Sequence, residues 1–345
     1  MFKGIDLFSD TATKPSAAMK QAMMEALLGD EQLGEDPTTK KLETMMAERL
    51  GKSCALFFPS ATMANQIAVK LHTEPGDEVI AHEHCHIFNA EGGGAAFHSH
   101  VQARMIPSKS GIFGADEVRL RFRDRPSPNS PKTGLLIVEN TTNAGGGCAW
   151  PLAMLQEVTD YAKSKGIKSH LDGSRLFNAA VKTECDAAHL AAGFDSITIC
   201  FSKGLGCPSG AVLAFDAKDF ARVRKLKQIF GGAMRQSGML AAAALFALEH
   251  HLPDLAQDHE KATRLAQGLA KIPGILVEDL NPSTNMVFFS LAPQGGDPAA
   301  FNESTKARGL RFSCFDENRF RAVSHRDLSM ADIEKALEIV ADIVT

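Results

Sequence analysis

The sequence predicts an α/β fold: a mostly parallel sheet with helices on both faces, followed by a smaller α+β unit. Three observations carry that prediction. Short apolar runs alternate with helix-like stretches through residues 134–215, a rhythm that βαβ units produce. Asn140, Asp172 and Lys203 stand at the ends of successive runs, and open α/β sheets gather their ligands beyond the carboxyl ends of strands. The last hundred or so residues then break the rhythm, with helical stretches around an isolated apolar run.

In chain order, Asp36-Pro37 opens a helix that buries Leu42, Met45, Met46 and Leu50 before Gly51. Residues 55–58 read as a strand, and a turn of small residues, Pro59-Ser60-Ala61-Thr62, leads from it into another helix. Residues 121–133, with Pro126, Pro128 and Pro131 among charges, read as an exposed loop. A strand over 134–141 precedes a helix with Pro151 in its first turn, Leu152, Leu155, Val158 and Tyr161 on one face, and Gly166 as its stop. Then come a strand at 167–172, a helix at 176–181, and strands at 196–201 and 211–215. After Gly238 an alanine-rich helix runs to about His251. A helix over 254–271, a strand near 286–291 and a closing helix complete the chain. The closing helix opens on a Ser329/Asp332 capping box and lines up Ile333, Leu337, Val340 and Val344. The expected boundary divides an arm and large domain, 1–245, from a small domain, 246–345.

Composition narrows the function. Apolar residues make up 44% of the chain, ordinary for a globular protein, and 37 basic against 41 acidic residues leave a net charge of −4 without long blocks of either sign. Nucleic acid and anionic membrane are therefore not expected as partners. No leader-like segment or long apolar span is apparent, and the seven cysteines are scattered without a Cys-x-x-Cys pair. Reduced thiols and a cytoplasmic setting are expected. His82, His84 and His86 alternate, followed by His98 and His100, but they lack a ligand framework of familiar spacing, so no metal is expected. Cys85-His86-Ile87-Phe88 running to Gly94 reads as a strand passing into a loop.

Two segments carry the chemistry: His170-Leu171-Asp172-Gly173-Ser174-Arg175 and Phe201-Ser202-Lys203-Gly204-Leu205-Gly206. An acid and a lysine at neighbouring strand ends suit pyridoxal phosphate (PLP) held as a Schiff base. Lys203 supplies the amine, and Asp172 keeps the pyridine nitrogen protonated so that the ring acts as an electron sink. The phosphate calls for backbone N–H groups at a helix start, which Ser60, Ala61 and Thr62 offer.

Taken with further stretches, the chain resembles the L-threonine aldolase family, PLP enzymes of the aspartate-aminotransferase-like fold (fold type I) that cleave β-hydroxy-α-amino acids to glycine and an aldehyde. The matching stretches are Asp6-Leu7-Phe8-Ser9-Asp10-Thr11, Gly34-Glu35-Asp36-Pro37-Thr38, Ser60 through Asn65, Cys85 through Gly94, Glu139-Asn140-Thr141-Thr142-Asn143, the two segments above, and Gly231 through Gly238. The resemblance implies that Lys203 holds PLP, Asp172 meets the ring nitrogen and His86 stacks on the ring. It implies Ala61 and Thr62 around the phosphate, with Arg235 reaching it from a neighbouring subunit of a homodimer or homotetramer. Ser9, Arg175 and Arg321 would grip the carboxylate of a small amino-acid substrate, as guanidinium groups do.

Departures from the family pattern fall at Phe8, Leu33, Gln228 and, above all, Thr142. The family's histidine at that last position is placed to meet the substrate's β-hydroxyl, and threonine cannot serve as a base near neutral pH. That leaves His86, a water near Glu91 or another group to take the proton. Otherwise the chain is a β-eliminating lyase on the same scaffold, or a non-catalytic PLP-binding relative.

Overall fold

The computed structural model describes residues 2–124 and 127–344. Strands are numbered β1 (Ile5–Asp6), β2 (Cys54–Phe58), β3 (Glu78–His82), β4 (Gln102–Ile106), β5 (Thr133–Glu139), β6 (Lys168–Gly173), β7 (Ser196–Cys200) and β8 (Ala211–Phe215). Five more follow: β9 (Ile275–Val277), β10 (Met286–Leu291), β11 (Leu310–Arg311), β12 (Ser313–Asp316) and β13 (Arg319–Val323).

Seven strands form one sheet in the order β2-β8-β7-β6-β5-β3-β4. Its inner strands are buried along their whole length, as in β5 and β7, which is why they read as apolar runs without alternation. Helices cover both faces. The Ala61–His72 helix packs its Ile67, Ala68 and Leu71 against Phe58, Leu213 and Phe215. The Pro37–Arg49 and Leu152–Ser164 helices bury Met46, Leu155 and Val158 in a larger core with Trp150. β8 alone runs against its neighbours. The link 201–210 is too short to hold a crossover helix, so the chain turns straight back, and that link carries Lys203.

The expected helices and strands stand close to where the sequence puts them, with two local differences. Pro151 caps its helix from outside the first turn, extended at φ −61° and ψ 135°. His86 to Asn89 is a one-turn helix rather than the end of a strand. β3 stops at His82 and the Cys85 N–H turns back to the His82 carbonyl, so the alternating histidines do not share a strand face. In the 121–133 segment, Ser127, Pro128 and Asn129 are exposed as expected, while Pro126 lies outside the described residues.

Beyond the large sheet, β12-β13-β10-β9 make an antiparallel sheet backed by the Asp254–Leu269 and Met330–Val344 helices. Phe289, Phe301, Phe312 and Phe320 pack ring on ring at its centre. The chain's start belongs with this core. β1 pairs in parallel with β11, and Ile5 and Leu7 are buried among the same phenylalanines. Phe8, Ser9 and Asp10 are thereby carried between the two sheets, beside Arg321 on β13.

Candidate active site

Strand ends set the site. β6 delivers Asp172, β5 delivers Glu139, and the link after β7 delivers Lys203. The Lys203 carbonyl accepts from the Thr13 hydroxyl at 2.7 Å and from the Gly206 N–H at 2.8 Å, which fixes the residue's backbone. Its side chain is half-buried and makes no ion pair among the described residues. Asp172 is almost fully buried; Oδ1 accepts the Ser174 N–H at 3.1 Å and Oδ2 the Asn65 amide at 3.0 Å. Burial works against its charge, but Lys203, His86 and the Ser174 N–H together hold the carboxyl below the usual range. The ionised Asp172 thus has the side chain of Lys203 as a neighbour.

His86 lies over this acid floor. Its backbone N–H donates to Glu139 Oε2 at 2.7 Å, and its Nδ1 meets Glu91 Oε1 at 2.9 Å. The Glu91 hydrogen bond raises its pKa against the opposing effect of burial, with help from the Asp172 charge. Glu91 is tied further by the Asn65 amide at 2.9 Å and the Gln66 amide at 2.6 Å. Glu139 is raised by burial and by Asp172, a tendency tempered by two backbone donors, Asn143 at 2.5 Å and His86. Donor atoms of His86, Glu91 and Asp172 lie within 4.8 Å of one another, close enough to surround a small cation. However, the Asn65 amide already donates to both carboxylates and the Lys203 charge acts on Asp172, conditions that work against a metal ion.

The carboxylate-binding expectation is redistributed between two arginines. Arg175 is clamped on Asp10 in two-pronged fashion, Nε to Oδ2 at 2.7 Å and one terminal nitrogen to Oδ1 at 2.6 Å. Burial opposes the Asp10 charge, yet Arg175, Lys203 and Arg321 hold that carboxyl far below the ordinary range. Arg321 has no acid of its own: it donates to Asn143 Oδ1 at 2.6 Å and the Phe8 carbonyl at 3.2 Å, and its buried Nε has no partner. Burial and the neighbouring Arg175 charge pull its pKa down to about 10. Ser9 is buried beside them and caps the turn that carries Asp10, accepting the Thr11 N–H at 3.2 Å.

Two predicted residues stand apart from this group. Thr142 is buried with its hydroxyl accepting the Cys148 N–H at 3.1 Å, folded into the 142–148 loop against Gly111. Arg235 is more than half exposed and pairs with Asp30 at 2.7 Å. The Ser60–Thr62 turn does form a helix start: Ser60 accepts the Met63 N–H at 3.2 Å, while Ser60 and Thr62 face solvent. Sequence reasoning missed Asp10, Asn65 and His170 as parts of the site. The His-x-Asp spacing of His170 and Asp172, which puts both on one face of a strand, was the available signal for the last.

The arrangement fits PLP on its own terms. A half-buried lysine without an ionic partner, a buried ionised acid and an open helix start are three separated anchors for an aldehyde, a ring nitrogen and a phosphate. Thr198, level with Asp172 on β7, adds a buried hydroxyl with no partner of its own. Fold and site together define a PLP-dependent lyase. The chain belongs to the beta-eliminating lyase family, whose sequence profile matches residues 6–292. It is 36% identical over 342 residues to low-specificity L-threonine aldolase 1 of Arabidopsis thaliana, covering 98% of this chain and 95% of that one. It is also 36% identical over 338 residues to the low-specificity L-threonine aldolase of Escherichia coli K12, covering 98% and 97%. The solved threonine aldolase of Leishmania major shares the fold with a TM-score of 0.84 at 20% identity, over 99% of this chain and all of that one.

Proposed function

We propose that this protein is a PLP-dependent aldehyde-lyase that cleaves an L-β-hydroxy-α-amino acid of the threonine, allo-threonine or phenylserine type to glycine and an aldehyde. The observation that carries the reading is Arg321, a buried guanidinium without an acid, beside the pocket that holds Lys203 and Asp172. An amino-acid carboxylate would complete it. When bound, PLP joined to the substrate's amino group withdraws electrons from the bonds at Cα.

The chain's own residues supply the rest. Lys203 would supply the amine that holds the cofactor. Asp172 keeps a proton on the pyridine nitrogen. Ser60, Ala61 and Thr62 present hydroxyl and N–H donors to the phosphate. Arg321, with Arg175 behind it and Ser9 alongside, fixes the carboxylate, so that the Cα–Cβ bond is the one held ready to break. His86 covers the ring. In the neutral ring its Nδ1–H is directed to Glu91 and Nε2 takes the β-hydroxyl proton as the aldehyde carbonyl forms, while the raised pKa that Glu91 confers strengthens Nε2 as a base. Thr142, whose oxygen is engaged by Cys148, keeps only its own proton for the substrate.

Oligomerisation has support on the surface. Leu27, Leu33, Phe97 and Ile229 are each about two-thirds exposed or more. Residues 30–32 are tied to 224–235 by Arg224, Lys227 and Arg235. The Phe97–His98 pair abuts Phe230, and Met63 lies under Gly232. Apolar surface of this extent marks a contact face. We assign it to a homodimer or homotetramer in which Arg235 reaches a neighbour's phosphate. The division at 245 and a cytoplasmic setting, consistent with seven unpaired cysteines, belong to the same reading. No helix among the described residues is long and apolar enough to cross a membrane.

The test is glycine release by PLP-loaded protein from L-threonine, L-allo-threonine and β-phenylserine, with Lys203→Ala as control. Glycine from any of them, abolished in Lys203→Ala together with the cofactor's visible band, is the expected result. Ammonia and a keto acid in place of glycine would reassign the chain to β-elimination. PLP binding without any turnover would leave a non-catalytic relative.

A further inference from the structure

Behind Asp172 lies a line of buried polar groups that the reaction as described does not use. His170 and Asp172 share one face of β6 and stand opposite Ser196 and Thr198 of β7. Across them lies the Ala61–His72 helix, whose Asn65 and His72 fall two turns apart on one stripe. The contacts are continuous. His72 Nε2 meets Ser196 Oγ at 2.8 Å, Ser196 Oγ meets His170 Nδ1 at 2.8 Å, and His170 Nε2 meets Asn65 Oδ1 at 3.2 Å. The Asn65 amide nitrogen then reaches both Asp172 Oδ2 and Glu91 Oε1. Asn65, His170 and Ser196 are buried, and His72 at the far end is partly open to solvent.

Donor and acceptor roles along this line are forced from the inside outward. Carboxylates only accept, so Asn65 turns its NH2 to Asp172 and Glu91 and its oxygen to His170. His170 must therefore donate from Nε2. Burial pushes the His170 pKa down to about 4 and that of His72 down to about 3, so both rings are neutral and each carries one proton. Nδ1 of His170 is then bare and accepts the Ser196 proton. A serine has one proton to give, so its oxygen accepts from His72 Nε2–H. Every N–H and O–H in the chain points toward the two carboxylates.

We propose that His72, Ser196, His170 and Asn65 are positioning residues. They form a one-way hydrogen-bond chain that keeps Asp172 ionised against the cofactor's ring nitrogen and, through Glu91, keeps His86 over the ring. The proposal rests on the PLP reading of the site above. Asn65 is its pivot, because a single amide group holds the acid under the ring and the acid behind His86. Ser196 matters at a distance. Without its proton, His170 is free to protonate Nδ1 instead of Nε2, and Asn65 loses the donor that fixes its orientation. The charged and titratable groups around Asp172 are Lys203 from the link after β7, His86 and Glu91 from the segment after β3, Glu139 from β5 and His170 from β6 itself. The chain acts on top of their combined field.

The test reads the cofactor's spectrum rather than turnover. PLP-loaded wild type, Ser196→Ala, His170→Phe and His170→Gln are titrated with pH while the visible band of lysine-bound PLP is followed. Thermal unfolding of each variant reports whether it is folded. Weaker support of the Asp172 charge moves the proton from the ring nitrogen toward the acid, and the band's midpoint rises. Ser196→Ala and His170→Phe should shift it upward by about 0.5–1 pH unit. His170→Gln, whose amide can donate to Asn65 and accept from Ser196, should return it toward wild type. A midpoint unchanged in folded, PLP-bound Ser196→Ala and His170→Phe overturns the proposal, as does a shift that glutamine fails to reverse. Wild type without a lysine-bound band would overturn the PLP reading itself and this inference with it; the wild-type trace separates that case from the others.

Discussion

At the Asp172 end of the site the acids are buried and hydrogen-bonded within the chain; the Ser60–Thr62 end faces solvent, with Ser60 on the Met63 N–H and Arg235 on Asp30. Asp172, Glu91 and His170 are buried and joined through Asn65, Glu139 accepts the His86 and Asn143 N–H groups, and Asp10 and Arg175 form a closed pair alongside. The proposed phosphate end is a helix start facing solvent, with Arg235 held out on Asp30. The difference teaches where each part of the function is built. On the proposed reading, protonation at the ring is set within one folded chain, and the grip on the phosphate is completed by Arg235 of a second copy. Experiments that separate the two ends should therefore respond differently to dilution and to pH.

The largest effect is expected at the closed end. Asp10→Ala leaves Arg175 charged and buried without its partner, a change that costs about 3–5 kcal/mol when a buried pair is broken from one side. Urea unfolding of the apoprotein checks it. The folded-state pKa of Asp10 is depressed, so its contribution is present above the ordinary carboxylate range and is lost as pH falls through the depressed value. Wild type should therefore lose stability in acid more steeply than Asp10→Ala. Parallel acid curves for the two proteins would show that Asp10 carries no such linkage.

A smaller effect, of a different kind, is expected at the open end. Arg235→Ala should weaken PLP binding by about tenfold through loss of a charge-assisted hydrogen bond to phosphate. On the proposed cross-subunit role of this arginine, wild-type PLP affinity should fall on dilution toward that of the variant. Wild-type affinity that is independent of protein concentration down to a monomeric species would contradict the cross-subunit role and erase the contrast between the two ends.

The same contrast explains how much of the molecule was legible in its sequence. Asp172 and Lys203 announce themselves because each follows a buried apolar run, and strand ends are where such residues become ligands. The turn at Ser60 is legible because helix starts carry a local signature. Asp10 and Arg175 are 165 positions apart, and Asn65 and Asp172 are 107 apart; no local pattern pairs them. The His86–Asn89 helix is a single turn, too short to display a period, and was read as strand and loop. An apolar run carries no direction either, so the reversal of β8 follows only from the brevity of the link before it. Arg175 and Arg321 carry the same expected role in sequence. In the fold Arg321 is the arginine without an acid, because the Asp10 that neutralises Arg175 arrives with a strand paired near the other end of the chain.

The smallest effect sharpens the open end itself. Ser60 Oγ accepts the Met63 N–H, so Ser60→Ala removes a helix cap and should cost about 1 kcal/mol in the apoprotein. The cap uses only the oxygen's lone pair. The hydroxyl proton faces solvent at the mouth of the helix start and remains available to a phosphate oxygen. In the PLP-loaded protein the same substitution should thus lower stability by more than in the apoprotein, and PLP affinity should fall severalfold. Thermal unfolding of wild type and Ser60→Ala, each with and without PLP, reads both quantities. Equal losses in the two states would confine Ser60 to capping and leave the phosphate to the backbone N–H groups of Ala61 and Thr62. A larger loss with PLP makes the serine a direct ligand, a side-chain contact that the chain supplies from within itself.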